Sequence, residues 1–139
     1  MNAKEYLEQY RKMNRMINNK LFEINTLREM MNNTSARTDR SPVQTTHKDA
    51  MANAVGKIVD LEQEINNDID NLINKQREIT SIIEKIKSPV AYDVIHKFYI
   101  QGHTLSKIAT DMNYVYQYVS EVKHEAVEEV QLILDQNAS

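Results

Sequence analysis

Apolar side chains recur along the first third of the chain at alternating spacings of three and four residues, the pattern of an amphipathic helix. The stripe consists of Leu7, Tyr10, Asn14, Ile17, Leu21, Ile24, Arg28 and Met31. Asn14 and Arg28 are polar interruptions, and a polar residue in a coiled-coil seam fixes the register at some cost in stability. The spacing predicts one helix over residues 3–31 with a heptad seam.

A second and longer stripe occupies the middle of the chain. Isoleucine or leucine recurs every seven residues, at Ile58, Ile65, Leu72, Ile79 and Ile86. This period predicts a helix from about residue 48 to residue 87. Residues 32–48 are polar, rich in Ser and Thr, and contain Pro42, so we expect a loop or disordered linker there. Residues 1–87 would then form a long helical hairpin or coiled coil.

Ser88 and Pro89 predict a sharp boundary, because Ser suits an N-cap and Pro suits the first position of a helix. We expect residues 88–139 to form a separate domain of three short helices. Their predicted bounds are 89–100, 104–112 and 116–134. Gly102 would end the first of these helices, and Thr104 would cap the second.

The stretch from Thr104 to Val130 has the layout of a helix-turn-helix. The predicted inner faces are Leu105, Ile108, Ala109 and Met112 on the first helix and Val119, Val122, Ala126 and Val130 on the second. The preceding helix would complete the core with Val94, Ile95 and Phe98. Tyr92, Tyr99 and Tyr114 are expected in this core or at its edge. The alternative interpretation is a three-helix packing unit that binds no nucleic acid.

A helix-turn-helix places its second helix in the major groove of DNA, where the first residues of that helix reach base edges. The candidate DNA-binding residues are Tyr116, Gln117, Tyr118, Ser120 and Glu121, with Lys123 and His124 one turn further on. Gln can pair with adenine through two hydrogen bonds, and Glu can accept one from cytosine. The candidate phosphate contacts are Thr104 and Lys107. Tyr116 and Tyr118 are equally compatible with a surface that contacts protein.

The amino-acid composition further limits the fold class and the kinds of chemistry expected of the protein. The chain has 139 residues, of which 41% are hydrophobic, with 2 Gly, 2 Pro and no Trp. The apolar residues are sufficient for a core, but Gly and Pro are too few for the many turns of a β-sandwich or β-barrel. An all-α fold is therefore expected. The chain has no Cys, its 4 His lack ligand-like spacing, and it has no catalytic motif. We therefore expect no catalytic residues, no metal site and no cofactor, and the protein is not expected to be an enzyme.

The charge is uneven along the chain. The formal net charge is −3, and residues 91–139 carry three Lys and no Arg against seven carboxylates. Because Lys and Arg supply most of the affinity for duplex DNA, this imbalance weighs against direct DNA binding. The densest basic patch, residues 11–15, either touches phosphates or an acidic partner or is a solvated helix face. The absence of a signal-peptide core and of a membrane-length apolar run predicts a cytoplasmic location without membrane contact.

Three segments carry a resemblance to a known family. They are MNAKEYLEQYRKMNRMINNKLFEI, VGKIVDLEQEINNDID and YIQGHTLSKIATDMNYVYQYVSEVKHEAVEEV. From Met1 to about Val130, the chain resembles the RinA/ArpU-like regulators of phage late genes, whose C-terminal domain is similar to that of sigma factors. The resemblance implies control of transcription in the cytoplasm of a bacterial host cell. It also implies double-stranded promoter DNA and host RNA polymerase as partners.

Two hypotheses of function follow. The first is a dimeric transcriptional regulator that binds promoter DNA through its helix-turn-helix. The second is a helical adaptor that contacts RNA polymerase or another regulator without binding DNA. A structural coiled-coil protein with a vestigial terminal domain is a third possibility. We expect a homodimer, because the stripe from Ile58 to Ile86 presents more apolar surface than a single partner helix of 29 residues can cover.

Overall fold

The computed structural model describes residues 1–37 and 44–138, with side chains described for 1–33 and 48–138. Its elements are α1 (Ala3–Arg37), α2 (Gln44–Ile83), α3 (Pro89–Ile95), a π-helical segment (His96–Ile100), α4 (Leu105–Met112) and α5 (Tyr116–Ala138). No strand occurs within these residues. The predicted all-α fold, two long helices followed by a helix-turn-helix, is confirmed.

The long helices extend further into the predicted linker than the apolar pattern indicates. The prediction of a linker over 32–48 is wrong at both ends, because α1 continues to Arg37 and α2 begins at Gln44. The remainder of that linker, residues 38–43, lies outside the described residues. Helical hydrogen bonds are local, so polar residues without Gly or Pro can continue a helix without an apolar stripe. Apolar periodicity reports which face is buried and not where a helix ends.

The other ends also differ from the predicted bounds. α2 ends at Ile83 and not at residue 87, and the turn that follows is closed by a hydrogen bond from the Ile86 N–H to the Ile83 carbonyl (3.0 Å). α5 continues past the predicted end at 134, to Ala138. Both predicted caps are present. The Ser88 hydroxyl accepts from the Ala91 N–H at 3.2 Å, and the Thr104 hydroxyl caps α4 in the same way.

The chain divides into two compact units. One unit, Asn14–Asn71, is called the hairpin unit here, and the other, Met1–Met13 with Leu72–Ser139, is called the bundle unit. The bundle unit therefore combines the three C-terminal helices with the start of α1 and the end of α2. The helix boundary at Ser88 is present, but it is not where the compact units divide.

Within the hairpin unit, α1 and α2 run antiparallel. Lys20 Nζ lies 2.6 Å from Asp68 Oδ2, and Arg28 Nη2 lies 3.0 Å from Glu62 Oε1. Later residues of α1 thus pair with earlier residues of α2. The buried residues between the helices are Ile17, Ile24, Ile58 and Ile65. Asn14, at a predicted seam position, is exposed.

The bundle unit has a continuous apolar core. Ile108, Ala109, Val119, Val122, Ala126 and Val130 are all buried, as the helix-turn-helix pattern predicts. Leu105, Met112 and Phe98 only border the core. Tyr99 is buried and Tyr92 is half-buried, but Tyr114 is exposed, so its predicted place at the core is wrong. Ala3, Leu7, Ile79 and Ile83 join this same core from the long helices.

Ile83 and Ile73 make a matched test of this core, because both lie on α2 within the bundle unit. Ile83 is 0% exposed and Ile73 is 43% exposed. We expect Ile83→Ala to lower the free energy of unfolding by about 2–4 kcal/mol, because it leaves a cavity. Ile73→Ala should cost less than about 1 kcal/mol. Urea unfolding followed by circular dichroism measures both values, and equal losses would contradict this description of the core.

Candidate nucleic-acid interface

A three-residue turn, 113–115, joins α4 to α5. Asn113 has φ 59°, in the left-handed region, which Asn tolerates better than most residues. The Tyr114 N–H donates to the Ala109 carbonyl at 2.9 Å and closes the end of α4. The Val119 N–H donates to the Val115 carbonyl at 3.2 Å and begins α5. The turn therefore fixes the direction in which the second helix leaves the first.

Packing then decides which face of α5 is left open. Val119 and Val122 are buried in the core, as is Ala109 on α4. With this face inward, the predicted contacts that remain exposed are Tyr116, Gln117, Tyr118, Glu121 and His124. They follow the turn within the first three turns of α5, and all five are exposed to solvent.

Two predicted DNA contacts, Ser120 and Lys123, are half-buried instead. Lys123 Nζ lies 4.2 Å from the centre of the Phe98 ring, and the Arg11 guanidinium carbon lies 4.3 Å from the same centre. Both distances are within the range of cation–π attraction. Burial lowers the pKa of Lys123, and the nearby charge of Lys4 lowers it further. Lys123 is thus part of the packing between α5 and the π-helical segment.

The two predicted phosphate contacts lie at the start of α4. Both are exposed, but the Thr104 hydroxyl already accepts from the Lys107 N–H at 3.1 Å. Lys107 Nζ lies 3.3 Å from Asp111 Oδ2, one turn further along the helix. This exposed pair is weak, so it leaves Lys107 available to a phosphate at little cost.

Carboxylates dominate the outer face of α5. Glu121, Glu125 and Glu128 are exposed. His124 Nε2 lies 3.1 Å from Glu128 Oε1, which gives the histidine a carboxylate partner. Acidic side chains on this face repel the DNA backbone at long range.

Two features of this region do not follow from the helical pattern of the sequence. Tyr114 and Tyr118 contact each other, with ring centres 4.9 Å apart, and Val115 beside them is exposed. The turn thus carries an exposed aromatic patch. The second feature is the approach of Lys4 and Arg11 on α1 to Lys123 on α5. No local signal could reveal it, because Lys123 lies more than a hundred residues after both Lys4 and Arg11 in the sequence.

The fold and this surface define an all-α protein with a helix-turn-helix whose second helix leaves one face open to solvent. The chain belongs to the family described as "Protein of unknown function (DUF1492)", whose model matches residues 32–131. This family is associated with phages in general. No curated protein sequence and no solved structure matches the chain.

Within residues 1–37 and 44–138, no three His, Asp or Glu side chains are grouped so as to hold a metal ion. None of the helices described has an apolar stretch that would span a lipid bilayer.

The chain contains 2 Phe, so the contribution of the Phe98 ring, which both Lys123 and Arg11 contact, can be compared with that of the other Phe. Phe98→Leu removes the aromatic face beneath Lys123 and Arg11, and it should lower the free energy of unfolding by about 1–2 kcal/mol. Phe22→Leu is the control, since Phe22 is 71% exposed. Urea unfolding measures both variants. A loss for Phe98→Leu no larger than that for the control would show that the paired cations contribute nothing to stability.

Proposed function

We propose that the protein is a phage-type transcriptional regulator that binds double-stranded promoter DNA through α4 and α5. The observation that carries the proposal is the open face of α5. Two helices meet at a fixed three-residue turn, and the second leaves Tyr116, Gln117 and Tyr118 in solvent immediately after it. This is where a helix-turn-helix carries the residues that reach base edges.

The exposed side chains suit direct reading of bases. Gln117 would pair with adenine through its amide, and Glu121 would accept a hydrogen bond from cytosine. Tyr116 and Tyr118 would pack on sugars or bases. Lys107 at the start of α4 would contact a phosphate. In this arrangement, α4 crosses the backbone while α5 lies in the major groove.

The similarity to RinA/ArpU-like regulators and the association of the family with phages support a role in late-gene transcription. On that basis, host RNA polymerase is the proposed protein partner, and the cytoplasm of the bacterial host is the proposed location. A homodimer is also proposed. Apolar side chains on the hairpin unit that remain exposed, and that a second copy would cover, are Leu21, Phe22, Val55, Val59 and Ile69.

The first experiment is capture of fragmented phage and host DNA by the purified full-length protein at low and near-physiological salt, followed by sequencing. One or a few intergenic fragments should persist at the higher salt. Gln117→Ala should then weaken binding to the captured site about tenfold or more, since a bidentate base contact contributes about 1–3 kcal/mol. Fluorescence anisotropy measures both affinities.

Gln63→Ala is the matched control for that substitution, because Gln63 is exposed on the hairpin unit. It should bind like the wild type. If no fragment persists at either salt, the helix-turn-helix is not an independent reader of DNA.

A second candidate function is a helical adaptor that acts by contact with RNA polymerase or another regulator. A specific observation favours it. Lys123 packs on Phe98, and the outer face of α5 bears Glu121, Glu125 and Glu128. An acidic surface beside the aromatic patch at the turn suits a basic protein partner better than a phosphate backbone.

Charge reversal separates the two functions. The double variant Glu121→Lys, Glu125→Lys should raise affinity for a nonspecific duplex severalfold if α5 faces DNA, because each added cation attracts phosphate. For an adaptor, the same change should weaken binding to purified host RNA polymerase and lower reporter transcription. Glu23→Lys with Glu29→Lys, two exposed residues of the hairpin unit, is the control. Unchanged DNA affinity together with lost polymerase binding would contradict the proposed DNA-binding function and support the adaptor function.

A further inference from the structure

A surface pocket of about 200 Å³ lies beside the open face of α5 in the bundle unit. Its lining comes from α1, the π-helical segment and α5. The residues are Lys4, Tyr99, Ser120, Lys123, His124 and Val127. Five of the six carry a group that can donate a hydrogen bond, and none is a carboxylate. Such a lining suits an anionic ligand with several acceptor oxygens.

Positive charge accumulates around the pocket. Among the described residues, no carboxylate lies within 4.0 Å of the ammonium of Lys4 or of Lys123. Arg11 adds a third cation next to Lys123. Glu8 is a carboxylate near this cluster, and it lies 3.4 Å from Arg11 Nη1. Because like charges repel, the cluster of Lys4, Arg11 and Lys123 would be stabilised by a bound anion.

The hydroxyl of Tyr99 is independent evidence for a ligand in this pocket. This side chain is only 1% exposed, and its hydroxyl has no hydrogen-bond partner among the described residues. A buried hydroxyl without a partner costs about 1–3 kcal/mol, which a ligand oxygen would recover. Burial, with the charge of Glu8, raises the pKa of Tyr99 to about 12, so the hydroxyl keeps its proton and can donate.

One competing contact belongs to the pocket itself. His124 Nε2 lies 3.1 Å from Glu128 Oε1. Both side chains are largely exposed, at 77% and 68%, so this pair is easily broken. His124 can therefore turn from Glu128 to a bound anion.

We propose that this pocket binds a phosphate group, held by the ammonium groups of Lys4 and Lys123 and by the hydroxyls of Tyr99 and Ser120. A tetrahedral phosphate offers acceptors in several directions, which matches donors arriving from three different elements. The phosphate belongs either to free inorganic phosphate or to the backbone of a DNA duplex. The proposal does not depend on the proposed function, because free phosphate would occupy the same groups in a protein that does not bind DNA.

The first test is calorimetric titration of the full-length protein with inorganic phosphate at constant ionic strength, with chloride as the reference anion. We expect saturable binding of phosphate and none of chloride. Lys4→Met should weaken it about tenfold or more, in line with the loss of a charged hydrogen bond. Lys4 is exposed, so this change leaves the core intact. Lys85→Met, exposed in the turn that follows α2, is the control and should bind like the wild type.

Tyr99→Phe separates a binding role from a structural one. It removes only the hydroxyl that lacks a partner, so the free energy of unfolding should stay the same or rise. Phosphate affinity should nevertheless fall severalfold. Normal phosphate binding by both Tyr99→Phe and Lys4→Met would overturn the proposal.

A duplex of about 30 base pairs distinguishes the two sources of phosphate. If the DNA backbone occupies the pocket, inorganic phosphate competes with the duplex. Lys4→Met should then reduce the slope of the logarithm of the duplex binding constant against the logarithm of salt concentration by about one. If free phosphate is the ligand, it binds without changing duplex affinity. Absence of phosphate binding together with an unchanged duplex salt dependence in Lys4→Met would overturn the proposal. Failure of Gln117→Ala to affect DNA would leave the phosphate result standing.

Discussion

The hydrophobic core of the bundle unit depends on the first residues of α1. Ala3 and Leu7 are buried in the same core as Ile83 and Val130, and the Ala3 N–H donates to Gln131 Oε1 at 2.7 Å. Apolar burial of this kind is the dominant favourable contribution to folding. The helix-turn-helix is therefore not an independent three-helix domain. Its last helix is held in place by residues from the opposite end of the chain.

This packing also changes the electrostatics of the candidate interface. Counted along the sequence, the last third of the chain has few cations for contact with a phosphate backbone, three Lys and no Arg against seven carboxylates. In the folded protein, Lys4 joins Ser120 and His124 around one pocket, and Arg11 lies over the same ring as Lys123. Electrostatic interactions act through space, so the relevant charge is the local one. The acidic composition of α5 therefore underestimates the positive charge beside it.

The two units differ in how completely they bury their apolar residues. The bundle unit surrounds its core with helices from several directions, and Val94, Ile108 and Val119 have no exposed surface. The hairpin unit is a pair of helices, and a pair can enclose only the side chains along its single seam. Ile17 and Ile65 are buried there, while other apolar residues of the same helices stay in solvent. That difference motivates a dimer through the hairpin unit and a ligand at the bundle unit.

The amino-acid pattern is sufficient to predict the helices, the caps at Ser88 and Thr104, the turn before α5 and the buried face of α5, because each follows from local geometry and helical periodicity. It could not place the ends of α1 and α2, because polar residues continue a helix without an apolar stripe. Only the tertiary structure decided that Lys123 packs on Phe98 and that the Tyr99 hydroxyl is buried without a described partner. Both follow from the convergence of α1, the π-helical segment and α5. That convergence depends on packing between residues far apart in the chain, which no local pattern encodes.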